Sequence, residues 1–459
     1  MTIIRKLSDS PVTRWFILVL VSFTMLGGYL LTDIMAPLKP VLERELGWSS
    51  TDYGMFSGAF SWFNVFMLMI IFGGLVLDRF GIRFTGLASC IIMITGCTIK
   101  YLAISGILPV EGVILGINKQ VMLASLGFAL FGVGSETVNI VVTKVIAKWF
   151  KGKEIALAMG LQVAVARVGT MMALMFSLPV AEYFGTVKNG VLDYNESMPV
   201  LICLLILCIG MLGFFVYTFY DRKLDKQKDE DNGSVNKETF RLADVLVIFR
   251  NRSFWLIAFL CAFFYAAVLP YLKYATDLMI NKYGVSESLA GTIPALLPIG
   301  TLIMTPVFGI VYDRKGYGAS MMIIGAFILV MVHVLFALPI LNYWWFATLL
   351  MILLGVAFSL VPSAMWPSIP KIIDEKQLGT AYSLIFWVQN WGLMGVPVLI
   401  GWVLDRYCRT EINGVVSYDY MLPMLLFAMF GAVALAFAFY LKHESKKRGY
   451  GLEKPNMVQ

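Results

Sequence analysis

Apolar residues in this chain come in long unbroken runs rather than in strict alternation. A bilayer-spanning helix needs roughly 20 mostly apolar residues. Runs of that length recur at 16–38, 53–77, 84–108, 120–149, 154–178, 198–220, 253–280, 287–312, 319–341, 344–370, 378–404 and 420–442. A transmembrane barrel would instead show alternating segments of about ten residues. The pattern predicts an all-α membrane protein with twelve transmembrane helices. The longest polar interruption, residues 221–252, opens with the charged stretch DRKLDKQKDEDNGSVNKE, expected to be solvated. It continues as TFRLADVLVIFRNRS, where Phe240, Ala243, Val247 and Arg250 interleave with Leu242, Leu246 and Phe249 at helical spacing. Two readings stay open there: an amphipathic helix on the membrane surface, or the start of the seventh span. The division that follows is a six-helix bundle over 1–220, a linker over 221–252, a second bundle over 253–442 and a tail over 443–459.

Composition agrees. Of 459 residues, 59% are hydrophobic and 14% charged, against about a quarter charged in soluble domains. The net charge of +7 sits in the segments between spans, so it is no nucleic-acid signature. Counted by segment, 25 basic residues fall on the side holding both termini and 8 on the other. The positive-inside bias therefore predicts both termini in the cytoplasm. The first segment, MTIIRKLSDSPVTR, leads into a full-length span with no small-residue cleavage site, so a retained first span is expected. The six cysteines make no metal-ligand pattern and read as small buried hydrophobes.

The two halves echo each other. GLVLDRFGIR carries Gly74, Asp78, Arg79, Gly81 and Arg83, and GIVYDRKG carries Gly309, Asp313, Arg314 and Gly316. Both read G-x-x-x-D-R-x-G at the same end of an even-numbered span. The two aspartates lie 235 residues apart, about half the chain. Glycines allow a tight turn, and the acid can meet a base or a helix N-terminus, which suits Asp78, Arg79, Arg83, Asp313 and Arg314 to gating. Parallel repeats of this kind resemble the major facilitator fold, two pseudo-symmetric six-helix bundles. A third relative of the motif, GWVLDR at Gly401 to Arg406, falls at the opposite end and reads as structural.

Ionisable residues inside spans are costly and usually functional. Glu136 in the fourth span and Arg167 in the fifth each lie 15 residues from the turn joining them, at Lys151 and Gly152. At 1.5 Å rise per residue both sit roughly 22 Å from that turn, near mid-membrane. They either neutralise one another as an ion pair or bracket a substrate carrying both signs, the Arg gripping a carboxylate and the Glu an ammonium group. Asn139 and Thr143 share the Glu136 face. Tyr29, Asp33, Tyr265, Trp366, Tyr382, Gln389 and Asn390 are further candidates for a polar site between the halves. Lys273 and Asp277, four residues apart, form either a structural salt bridge or a ligand contact. Pro362, Pro367 and Pro370 interrupt the tenth span and allow bending. His333 reads as a packed helix contact. No nucleotide, zinc-protease or nucleophile-elbow motif is present, so neither enzyme chemistry, a cofactor nor a metal is expected, and gradients must drive any transport.

Several stretches extend the resemblance: GYLLTD (28–33), SWFNV (61–65), WFKGKEIALAMGLQVAVARVG (149–169), MWP (365–367), QLGTAY (377–382) and QNWGL (389–393). With them the chain is similar to the lysosomal dipeptide uniporters of the major facilitator superfamily, and more distantly to its organic-anion branch. That resemblance implies alternating-access transport of small zwitterionic peptides, with Glu136 receiving the amino terminus and Arg167 the carboxylate. It leaves uniport and proton coupling open. The alternatives are an organic-anion or amino-acid carrier using Arg167 alone, and a non-transporting sensor. The N-terminus lacks an acidic dileucine signal and the outer loops are short, which points to a bacterial-type plasma membrane; a monomer is expected.

Overall fold

The computed structural model describes residues 7–455 except Glu111, Leu115, Gly152, 189–190, 230–246, 375–376 and 413–414. Twelve membrane passes are present. The first is Pro11–Asp33, opened by Pro11 and capped by Ser10, whose hydroxyl accepts from the Thr13 N–H at 3.4 Å. The second is segmented into Ser50–Ala59, Trp62–Phe66 and the start of Met69–Ile104. Gly81, at φ 80° and ψ 174°, breaks that last helix and returns the chain as the third pass. Only a residue without Cβ takes this backbone cheaply, so the motif glycine makes the turn between passes two and three.

Passes four to seven are Lys119–Trp149, Ile155–Tyr183, Met198–Asp229 and Arg252–Tyr283. The eighth comprises Glu287–Ala290 and Leu296–Lys315. The last four are Gly318–Ala337, Trp344–Ser368, Leu378–Val403 and Met421–Arg448. The tenth stays helical through Pro362 and Pro367 and ends in a 3₁₀ turn, Ile369–Lys371. The readings for 240–246 lie outside the described residues. Residues 247–249 form one helical turn, and Asn251 then caps a new helix by accepting from Ser253 N–H at 2.9 Å.

Three two-stranded hairpins accompany the helices. They pair Val113–Ile114 with Ile117–Asn118, Thr186–Lys188 with Val191–Asp193, and Arg409–Ile412 with Val415–Tyr418. All three lie on the side opposite the termini, called here the hairpin side. On the terminal side the tail docks instead of trailing away. Tyr317 and Gly318 donate backbone N–H groups to Glu453 and Leu452 carbonyls at 3.0 Å each, and Leu452 is fully buried.

The halves meet where spans two and eleven touch backbone to backbone. A Cβ on Gly401 would stand 2.1 Å from the Ser50 carbonyl, and one on Gly58 would stand 2.3 Å from that of Met394. Small residues are what let membrane helices approach this closely. Gly401→Ala is expected to overpack the seam, costing about 1–3 kcal/mol, and to lower the unfolding temperature in detergent. Gly74→Ala, with nothing within 4 Å of the added carbon, should leave that temperature unchanged.

Candidate functional site

Five spans bring polar and aromatic groups together between the halves. Arg167 lies mid-way along span five, half-buried. Its guanidinium carbon is 5.8 Å from the Tyr29 ring centroid, on span one, and 5.2 Å from that of Phe358, on span ten. Ring faces are electron-rich and hold a cation without neutralising it. Phe358 meets Tyr265 of span seven at 5.4 Å, edge to face. The Tyr265 hydroxyl accepts from Trp366 Nε1 at 3.2 Å, and the Tyr382 hydroxyl donates to the Trp366 carbonyl at 3.3 Å. Phe386 stacks on Trp366 at 5.0 Å. Residues 29, 167, 265, 366 and 382 thus line one continuous wall crossing from the first half to the second.

Glu136 occupies the middle of span four, half-buried. Its neighbours Ser135 and Thr137 are buried against spans one and two. A Cβ on Gly28 would meet Ser135 Oγ at 3.5 Å, and one on Gly73 would meet Thr137 Oγ1 at 2.8 Å. This packing fixes the helix and aims Glu136 away from it. No ion pair or hydrogen bond to Glu136 occurs among the described residues, and none joins it to Arg167. The neutralising pair allowed by the sequence is therefore not formed. Asn139 is half-buried, its carbonyl accepting from Thr143 Oγ1 at 2.9 Å. Gln389 and Asn390 are buried in the wall of span eleven. Gln389 Oε1 accepts from the Cys261 thiol at 3.3 Å, and Asn390 Nδ2 donates to the Phe386 carbonyl at 2.9 Å. Buried Asn390 Oδ1 has no partner among the described residues. His333 Nε2 lies 3.0 Å from the Ala267 carbonyl, the helix contact expected of it.

Two sequence expectations change. Asp33 faces a gate rather than an open site: it pairs with Lys273 at 2.5 Å and accepts from Thr170 Oγ1 at 2.9 Å. Lys273 and Asp277 do not pair with each other, because each finds a partner in the opposite half. Asp277 takes Lys39 at 2.7 Å, and Lys39 also binds Glu43 at 2.8 Å. Lys39 is wholly buried. Burial opposes its charge, but the carboxylates of Asp277 and Glu43 overcome that and hold the ammonium above the usual lysine range.

A third link comes from the GWVLDR segment. Asp405 accepts from Ser50 N–H at 3.1 Å, Thr51 N–H at 2.6 Å and Thr51 Oγ1 at 2.5 Å. A carboxylate of span eleven thus caps the N-terminus of span two. Every ion pair between described residues that joins the halves lies on the hairpin side, so that side is closed.

Two of the motif residues expected to gate, Asp78 and Arg83, are engaged within their own half. Asp78 pairs with Lys144, and Arg83 pairs with Asp225 at 3.2 Å and Asp221 at 3.7 Å. Arg79 is exposed over the Phe80 ring, and Arg314 is exposed at the end of span eight beside half-buried Asp313. Sequence reasoning missed Phe358, Lys39, Asp405 and Lys100. Lys100, counted with the loops from sequence, is fully buried in the third pass, 4.6 Å from the Phe128 centroid. Asp405 carried a signal in its motif-like segment; Phe358 carried none.

Removing Asp405 should loosen the hairpin-side closure. Asp405→Ala is expected to cost about 0.5–2 kcal/mol of it. Lys39→Ala takes the cation from buried Asp277 and half-buried Glu43 and should cost about 3–5 kcal/mol. A cysteine introduced at Thr32 should then be labelled faster by an impermeant maleimide applied from the hairpin side. Unchanged labelling in both variants would exclude these contacts as the closure.

Comparison with known proteins bears on this arrangement. The model of the Major Facilitator Superfamily matches residues 17–397. The lysosomal dipeptide transporters MFSD1 of Bos taurus and Homo sapiens are each 28% identical over 399 residues, covering 85% of this chain and 80% of theirs. Among solved structures, a bacterial homologue of the human lysosomal transporter Spinster, inward-facing and occupied, superposes with TM-score 0.69 at 13% identity, over 95% of this chain and 98% of that one. A D-xylose–proton symporter gives 0.68 at 13%, over 93% and 97%. The nucleoside transporter NupG gives 0.65 at 16%, over 94% and 98%.

Proposed function

This chain belongs to the major facilitator superfamily of membrane transporters, and from that premise we propose that it carries small zwitterionic peptides, chiefly dipeptides, by alternating access. The observation that carries the reading is a pair of opposite charges, Glu136 and Arg167, half-buried at mid-span and not spent on each other. A lone charge at that depth is expensive, so each calls for a counter-charge, and a zwitterion brings both. Arg167 would take the carboxylate with two parallel hydrogen bonds. Glu136 would take the ammonium group, helped by Asn139. The aromatic wall of Tyr29, Tyr265, Trp366 and Tyr382 would flank the peptide, with Gln389 and Asn390 as amide contacts. The likeness to dipeptide transporters over most of the chain supports the same substrate class.

The closed hairpin side, which holds the ion pairs between described residues that join the halves, describes one end of the cycle, in which alternating access would open the site toward the termini. By the basic-residue bias that side is cytoplasmic, and we place the protein in a plasma membrane of bacterial type. Tyr29 and Asp33 lie one turn apart on span one, as do Arg167 and Thr170 on span five. A peptide carboxylate drawn to Arg167 therefore arrives one helical turn from the Asp33–Thr170–Lys273 cluster, where it competes electrostatically with Asp33. An anion carrier built on Arg167 alone has no use for Glu136.

Uptake of a labelled neutral dipeptide into proteoliposomes tests the proposal. Saturable flux is expected in the wild type. Glu136→Gln and Arg167→Ala should each lose about 2–5 kcal/mol of substrate binding, thirtyfold or more in apparent affinity. A parallel run with an imposed proton gradient separates uniport from symport. Absence of dipeptide flux from folded protein that carries simple carboxylates through Arg167 would refute the peptide reading.

A further inference from the structure

Span six presents an exposed apolar stripe of Leu205, Ile209, Leu212, Phe215 and Phe219. In a chain that crosses the bilayer such a stripe faces lipid. One turn beyond its terminal-side end stands Arg222, fully out of the apolar run. Beside it, where Gly81 turns the second pass into the third, Arg83 reaches over from the neighbouring helix. Between the two helices lies a groove of about 530 Å³, floored by Phe84, Leu87, Phe215 and Phe219, with Arg83 and Arg222 at its mouth.

The charges at the mouth are not balanced. Asp221 and Asp225 face Arg83 and Lys148, at 3.7 and 3.2 Å from Arg83 and 2.7 Å each from Lys148. That is two acids against two bases. Arg222 adds a guanidinium that meets no carboxylate among the described residues. A planar guanidinium pair matches the oxygens of a phosphate, and the floor offers aromatic and aliphatic surface running along the membrane normal.

We infer that this groove binds an anionic phospholipid, its phosphate held between Arg83 and Arg222 and an acyl chain lying along Phe84, Leu87, Phe215 and Phe219. A soluble phosphate would use the mouth and leave the floor bare, whereas a lipid in the adjoining leaflet fits both at this depth. Arg83 belongs to the repeated G-x-x-x-D-R-x-G segment and its continuation, so the lipid would share that arginine with Asp225 and tie the turn between passes two and three to the membrane surface.

Native mass spectrometry of the full-length protein in neutral detergent tests this, titrating phosphatidylglycerol and phosphatidylcholine of identical chains. Wild type should bind phosphatidylglycerol at lower concentration. Arg222→Gln, which lies outside the ion-pair network and so spares the fold, should weaken phosphatidylglycerol roughly fivefold, the effect of one cation near a bilayer surface. Phosphatidylcholine, whose phosphate is already neutralised by its own choline ammonium, should lose less. Phe84→Ala should weaken both lipids, and Lys223→Gln, one residue away from the mouth, should weaken neither. Equal binding of the two lipids by wild type would overturn the site. So would Lys223→Gln matching Arg222→Gln, which means diffuse positive charge. Displacement of the lipid by millimolar inorganic phosphate with no effect of Phe84→Ala would assign the mouth to a soluble anion and equally overturn it.

Discussion

A charge buried in a membrane-spanning bundle is tolerated when it is paired or reaches a cavity, and where the partners lie organises this molecule. On the hairpin side two buried or nearly buried pairs join the halves, Lys273 with Asp33 and Lys39 with Asp277, while buried Lys100 rests on the Phe56 and Phe128 rings of its own half. The Lys39–Asp277 pair sits out of water, where electrostatic interactions are strong and hard to break without a substitute. Half a membrane below, Glu136 and Arg167 have no such partners among the described residues. Among the described residues the protein thus spends the ion pairs that join its halves on closing one face and keeps two opposite charges in reserve at the centre.

The closure and the centre are joined by short covalent paths. Span one carries Tyr29 and Asp33 four residues apart, and span five carries Arg167 and Thr170 three apart. Tyr29 touches Arg167 while Asp33 touches Thr170, so the same two helices carry the central contact and the gate. Rigid helices transmit a displacement at one level to the next turn, and a ligand that prefers one arrangement shifts the balance between states only by that preference.

Spans two and eleven form the second line of contact. Their glycines let backbones touch, and Asp405 caps the helix that begins at Ser50. The segment holding Asp405 resembles the repeated motif but works at the opposite face and across the halves. The two copies of the motif proper stabilise their own halves: Arg83 through Asp221 and Asp225, the second copy through the docked residues Leu452 and Glu453.

The sequence by itself determined the membrane class, the twelve passes, the repeat and the two central charges. Each of those follows from a local rule: span length, positive bias, a motif at matching positions, the expense of a charge in lipid. Even the depth of Glu136 and Arg167 follows from helix rise and a short turn. What only the tertiary structure decided was partnership. Lys273 and Asp277 stand four residues apart, the spacing of a helical ion pair, yet each meets an opposite charge of the other half instead, Asp33 and Lys39. Asp33 likewise meets Lys273 and Thr170 at the gate. Phe358 and Lys100 were invisible because an aromatic in an apolar run, or a lysine near a span's end, has no local signature of what it will face. Spacing fixes which side of a helix a group is on, and only the packing of distant spans fixes what it meets.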